Sequence, residues 1–144
     1  MKTFLVFLSI LLVSVTFIAY QGDLAHYMQI QEYLKGLAEE CALGAAMYYE
    51  TEAFGQGALV FSETEANAFV EHMVSQGQTV LNEGREGTLT WSLQLCDEAK
   101  GFDGSDRDPA TIVTLRYICE DLFRLPFLRV TEISRQAKYQ QKAF

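Results

Sequence analysis

The chain has 144 residues, 49% of them hydrophobic, and a formal net charge of -8. That size suits one domain with its own core, and the acidic balance argues against nucleic acid and anionic lipid headgroups as partners. With two histidines and no C-x-x-C pair among three cysteines, neither a metal nor another cofactor is expected.

The first element is the most hydrophobic. Between Lys2 and Asp23 there is no charge, and Phe4 to Tyr20 is almost wholly apolar. As a helix, ~19 residues at ~1.5 Å each span about 28 Å, close to the ~30 Å hydrocarbon core of a bilayer. A cleaved signal peptide requires a small-x-small site. Cuts after Ala19, Gly22 or Ala25 put Phe17, Tyr20 or Asp23 at the third position back. Residues 1–22 are therefore expected to remain as a transmembrane anchor. Lys2 and the terminal amine favour a cytoplasmic N-terminus, which places residues 23–144 outside the cytoplasm.

No breaker ends the anchor, and the helix is expected to continue to about Tyr49 or Glu52. Apolar residues at Leu24, Tyr27, Ile30, Leu34, Leu37, Cys41, Ala45 and Tyr48 recur at steps of three and four, the helical period. Ala38, Ala42 and Ala46 form a small-residue stripe that permits close approach of another backbone. Two partners fit it, the domain's own sheet or a neighbouring subunit's helix. The candidate interface residues are Tyr27, Ile30, Leu34, Leu37, Ala38, Ala42 and Ala46.

Gly55 and Gly57 close the helical region, and 58–61 reads as a short strand or extended link. Ser62 and Glu65 fit a capping box opening a short helix over about 63–75, with Gly77 starting the next turn. Residues 88–96 alternate, Leu89, Trp91, Leu93 and Leu95 against Thr88, Thr90, Ser92, Gln94 and Cys96, as a half-buried strand does. Residues 97–109 form a polar loop. A β-branched strand over 110–119 follows, then a turn at Leu122–Pro126, a third strand over about 127–135 and a frayed end from Lys138. The expected class is α+β, a long N-terminal helix packed on about three antiparallel strands.

The chemistry-bearing residues are sparse. Asp103, Asp106 and Asp108 share one loop, a weak calcium candidate set against an ordinary solvated turn, because Arg107 interrupts the acidic pair and the EF-hand pattern is absent. His72 lies beside Glu71 on a polar boundary, and His26 falls just past the anchor. Cys119 is followed by Glu120 and Asp121, which disfavour a thiolate. The three cysteines are read as small buried apolar residues, although a disulfide is permitted outside the cytoplasm. A hairpin of 88–96 and 110–119 separates Cys96 from Cys119 by roughly 30 Å at ~3.3 Å per residue, beyond disulfide reach. With no G-x-S-x-G, Walker A or G-x-G-x-x-G, no catalytic residue is assigned, and the chain is not expected to be an enzyme.

Three segments in this order resemble the TadE/TadG-like minor pilins, or pseudopilins, of tight-adherence pilus systems. They are the near-terminal anchor Phe4 to Tyr20, the helix from Ala38 to Ala46, and the strand Thr111 to Tyr117 with Leu125-Pro126 and a final strand around Val130 to Ile133. A pilin leader ends in Gly and is followed by a Glu; here Gly22 follows the apolar run, and the run holds no Glu. The resemblance implies a pilin-like fold and a membrane-anchored structural or accessory subunit of a pilus or secretion assembly machine, with other pilin-like or assembly-machine subunits as partners. The alternative is a membrane-anchored extracytoplasmic module that binds a peptide or small ligand.

Overall fold

Pro109 and Pro126 are the two prolines of the chain, so nothing in its first hundred residues removes a helical N–H. In the computed structural model, which describes residues 1–102, 104 and 107–142, helix α1 runs unbroken over Lys2–Ala45. Its 44 residues extend about 66 Å at ~1.5 Å per residue. Helix α2 is the short Thr51–Gly55, and α3 is Glu63–Leu81. Strands β1 Gly87–Cys96, β2 Ala110–Cys119 and β3 Glu132–Gln140 form one antiparallel sheet in the order β1-β2-β3. The second half of α1 lies over β2 and β3, and α3 lies over β1. The arrangement is α+β, a long N-terminal helix packed on a three-stranded antiparallel sheet.

Alternation fixes which face of the sheet is inside. Trp91 pairs with Leu115 and Leu115 with Arg135; Leu89 pairs with Tyr117 and Tyr117 with Ile133; Leu93 pairs with Val113 and Val113 with Ala137. These rows face the helices, and Val113, Leu115 and Tyr117 on the central strand are completely buried. The opposite face carries Thr90, Ser92, Thr114, Arg116, Glu132 and Ser134, where Arg116 grips Glu132 through two hydrogen bonds of 2.6 Å. On α1, Ile30, Leu34, Leu37, Ala38, Cys41, Ala42 and Ala45 are buried against this core. Removing that much apolar surface from water, at ~25 cal/mol per Å², is what binds the helix to the sheet.

Glycines set the spacing of the two long helices. A Cβ at Gly44 would collide with the Phe69 ring, and one at Gly77 would meet Leu37. Each helix thus offers a notch to a large side chain of the other. Because Gly44 meets residue 69 and Leu37 meets residue 77, α1 and α3 run antiparallel.

Several boundaries depart from the sequence expectations. Helix α1 ends at Ala45 rather than near residue 49–52. Its last turn is held from outside, as Thr111 Oγ1 donates to the Ala42 carbonyl at 2.6 Å, and the chain then turns so that Tyr49 bridges Phe61. Helix α3 continues through Gly77 to Leu81, because Leu37 fills the space a side chain would take. Ser62 occupies the N-cap of α3 without a side-chain cap bond. Strand β3 begins at Glu132, five residues later than the pattern predicts, and includes Lys138 to Gln140, expected to fray. The apolar residues Phe127, Leu128 and Val130 that suggested a strand belong instead to the β2–β3 loop.

Candidate functional site

The two halves of α1 have different surroundings. Helix α1 is the one helix among the described residues long and apolar enough to cross a membrane, and none of its most apolar stretch is buried. Phe4, Phe7, Ile10, Leu12, Val13, Val15, Phe17 and Ile18 are all more than half exposed. An apolar surface of this extent facing water is unfavourable. The first charge after it, Asp23, is buried.

Asp23 joins this segment to the domain. Its Oδ2 accepts the Arg124 backbone N–H at 3.0 Å, and its Oδ1 lies 3.6 Å from Arg124 Nε. Across the β2–β3 loop, Asp121 Oδ1 accepts from the N–H groups of Phe123 and Val130 at 3.2 and 3.0 Å. The Val130 and Phe123 donors, with the nearby Arg129 guanidinium, hold the Asp121 carboxyl below the usual range against the opposing effect of its partial desolvation. Phe123 packs between Tyr20 and Tyr27, with ring centroids 6.1 and 5.9 Å away. Beyond it, Leu125, Phe127 and Leu128 face Leu12, Val13, Thr16, Phe17 and Tyr20 across an open groove of about 570 Å³.

Of the candidate interface residues, Ile30, Leu34, Leu37, Ala38, Ala42 and Ala46 are buried within the chain, and half-buried Tyr27 packs on the same core. The structure brings all seven together, on the domain's own sheet and α3. The small-residue stripe admits the β2 hydroxyl of Thr111 at Ala42, and the neighbouring Gly44 admits the Phe69 ring. The outward face of α1 carries Met28, Tyr33 and Leu43 instead, with Met47 just past the helix end, each more than a third exposed. Sequence reasoning passed over these four because they interrupt polar positions and form no regular stripe.

The remaining candidates are scattered. Asp103 and Asp106 lie outside the described residues; Asp108 accepts from Gln140 Nε2 at 3.3 Å. His26 is exposed, and exposed His72 meets Gln76 on its own helix. Cys41, Cys96 and Cys119 are buried and not joined to one another; Cys96 and Cys119 sit at opposite ends of the β1–β2 pair. Burial, with Glu40 adding to it, pushes the Cys41 thiol up to about 11. Burial also raises Cys119, with Arg85 opposing and Asp121 reinforcing the shift. Neither is a ready nucleophile at neutral pH.

One buried carboxylate escaped the sequence reading. Asp97 is completely buried. Its Oδ2 accepts the Phe61 N–H at 2.9 Å, and its Oδ1 accepts the N–H groups of Ala99 and Lys100 at 3.0 and 2.8 Å. This is a structural clamp joining the end of β1 to the segment before α3. Its sequence signal was slight, an Asp opening a turn that reaches Gly101. Among the described residues, no three His, Cys, Asp or Glu side chains converge on a point.

The chain matches no family model, no curated protein and no solved structure.

Proposed function

We propose that this chain is a single-pass membrane protein with a cytoplasmic N-terminus, and that its extracytoplasmic domain is a pilin-like structural or accessory subunit of a pilus or secretion assembly. The observation that carries this reading is the continuity of α1. One helix leaves a bare apolar segment and, without a break, becomes the spine on which the sheet is built. Such a helix serves at once as anchor and as core, an arrangement suited to handing a domain laterally between membrane and assembly. Neighbouring subunits would meet the apolar anchor and the outward residues Met28, Tyr33, Leu43 and Met47, since the inward face of α1 is occupied by the chain's own sheet.

The alternative reading, capture of a peptide or small ligand, calls for an enclosed apolar pocket. The clefts among the described residues are open, and those away from the anchor are lined mainly by polar side chains such as Glu71, Gln78 and Asn82 or Arg85 and Glu120. Packing of helix on sheet therefore favours the subunit role.

The test uses the full chain in its native host. N-terminal sequencing of the membrane fraction is expected to find the apolar segment intact. A photo-crosslinker at Leu43 or Met47 is expected to capture another membrane or assembly protein, identified by mass spectrometry. A soluble product beginning near Tyr20 or Asp23 would remove the anchor. An intact membrane protein with no crosslinked partner would remove the subunit role.

A further inference from the structure

The Leu125-Pro126-Phe127-Leu128 turn poses a physical problem. Phe127 is 76% exposed, at the tip of a loop tied down by two carboxylates. Leu128 N–H donates to the Leu125 carbonyl at 3.1 Å, which closes a tight turn with Pro126 at the position proline favours. A loop built so firmly to hold an aromatic ring in water would be costly without a use. Phe127 lines the groove shared with Leu12, Val13, Thr16, Phe17 and Tyr20 and takes no part in the domain's core.

Resting on the anchor reading above, we propose that this turn is a second membrane contact. Leu125, Phe127 and Leu128 insert among the acyl chains of the leaflet on the domain's side. Depth follows from helix geometry. Tyr20 and Leu12 precede Asp23 by three and eleven residues, about 5 and 16 Å of helix at ~1.5 Å per residue. The groove therefore lies beside the outer half of a segment matched to a ~30 Å hydrocarbon core. Any bilayer that accepts the anchor also covers the groove.

Backbone chemistry confines the insertion to side chains. Irregular backbone in lipid is penalised for each bare donor. Pro126 has no N–H, the Leu128 N–H is bonded within the turn, and the Phe123, Arg124 and Val130 N–H groups are taken by Asp121 and Asp23; the Leu125 and Phe127 N–H groups have no such bond among the described residues, so the side chains enter the lipid while these donors keep headgroup water. Arg124 and Arg129 bracket the turn with side chains 85% and 86% exposed. Their long stems can lie along apolar surface while the guanidinium groups stay at headgroup level. Tyr20 and Tyr27 stand where aromatic residues mark a membrane boundary. The occupant is the acyl chain itself. The acidic chain does not recruit the bilayer by charge, so zwitterionic lipid suffices.

The full chain in phosphatidylcholine vesicles provides the test, with bromine placed on the acyl chains as a contact quencher. Native Trp91 gives the baseline. Phe127→Trp alters a position that makes no core contact, and Phe7→Trp, an exposed apolar-segment position outside the groove, reports the anchor alone. Both variants are expected to lose most of their added emission to the brominated lipid. Quenching of Phe7→Trp without Phe127→Trp overturns the proposal and leaves the anchor standing. If neither is quenched, the anchor reading fails and takes the proposal with it. Should Phe127→Trp be reached by aqueous acrylamide instead, the turn faces water. Shielding from both quenchers means that a second copy covers it. Either result overturns the lipid contact.

Discussion

The two halves of α1 differ in how they satisfy the same hydrophobic requirement. Residues before Asp23 are apolar on every side and touch little of the domain. Residues after it are apolar on one face, which the sheet and α3 cover, and polar on the other. The first half needs an apolar solvent, whereas the second carries its own in the form of β2, β3 and α3. One backbone geometry thus serves two environments, and the distribution of side chains around the helix decides which is which.

Substitutions in the two halves sharpen that comparison. Leu34 is completely buried, so Leu34→Ala is expected to cost about 2–5 kcal/mol, read as a lowered urea midpoint of the detergent-solubilised chain. Leu11→Ala, in the bare half, should shift the same midpoint by no more than about 0.5 kcal/mol. Equal effects would mean that the apolar segment folds back on the domain. Ala42→Leu comes next, at about 1–3 kcal/mol of overpacking, because Ala42 is enclosed and its carbonyl receives Thr111. An unchanged melting temperature in that variant would count against close packing at the stripe.

The junction is expected to respond more weakly. Asp23→Ala removes the acceptor of the Arg124 N–H and should cost about 1 kcal/mol, because the Arg124 side chain is exposed and its ion pair is screened. Amide exchange at Arg124 is the direct readout. The smallest effect concerns acid. The Asp121 carboxyl is held below its usual range when folded, so its stabilising contribution is complete above that range and lost as pH falls through the lowered value. Exchange at Phe123 and Val130 should accelerate there before the β1–β2 pair loosens. Simultaneous loosening of loop and sheet would show that Asp121 does not hold the loop independently.

What the sequence revealed follows the range of each interaction. The charge-free run announces the exposed helix, and strict alternation in 88–96 with β-branching in 110–119 places β1 and β2 within a residue of their observed bounds. Both signals are local. Beta3 slipped because Phe127, Leu128 and Val130 look like a strand, while the contact that removes them from the sheet joins Arg124 to Asp23, a hundred residues away. Gly77 read as a stop because a glycine advertises conformational freedom and says nothing of the leucine that fills its place. The alanine stripe was legible as a packing surface; Thr111, which meets it at Ala42, and Phe69, which fills the notch at the neighbouring Gly44, were not. Asp97 looked like any turn aspartate, since its burial depends on the distant N–H of Phe61.

The unbroken passage of α1 through Gly22 and Asp23 has a mechanical consequence. A domain joined to an anchor by a flexible linker tumbles freely above a bilayer, but here the bare apolar segment and the spine of the sheet are one helix. In a membrane, the tilt of the anchor is the tilt of the sheet, and rotation about that axis carries the polar outer face around with it. On the anchor reading the domain moves as a mast rather than as a tethered ball, and a force applied to the sheet passes along the helix to the lipid.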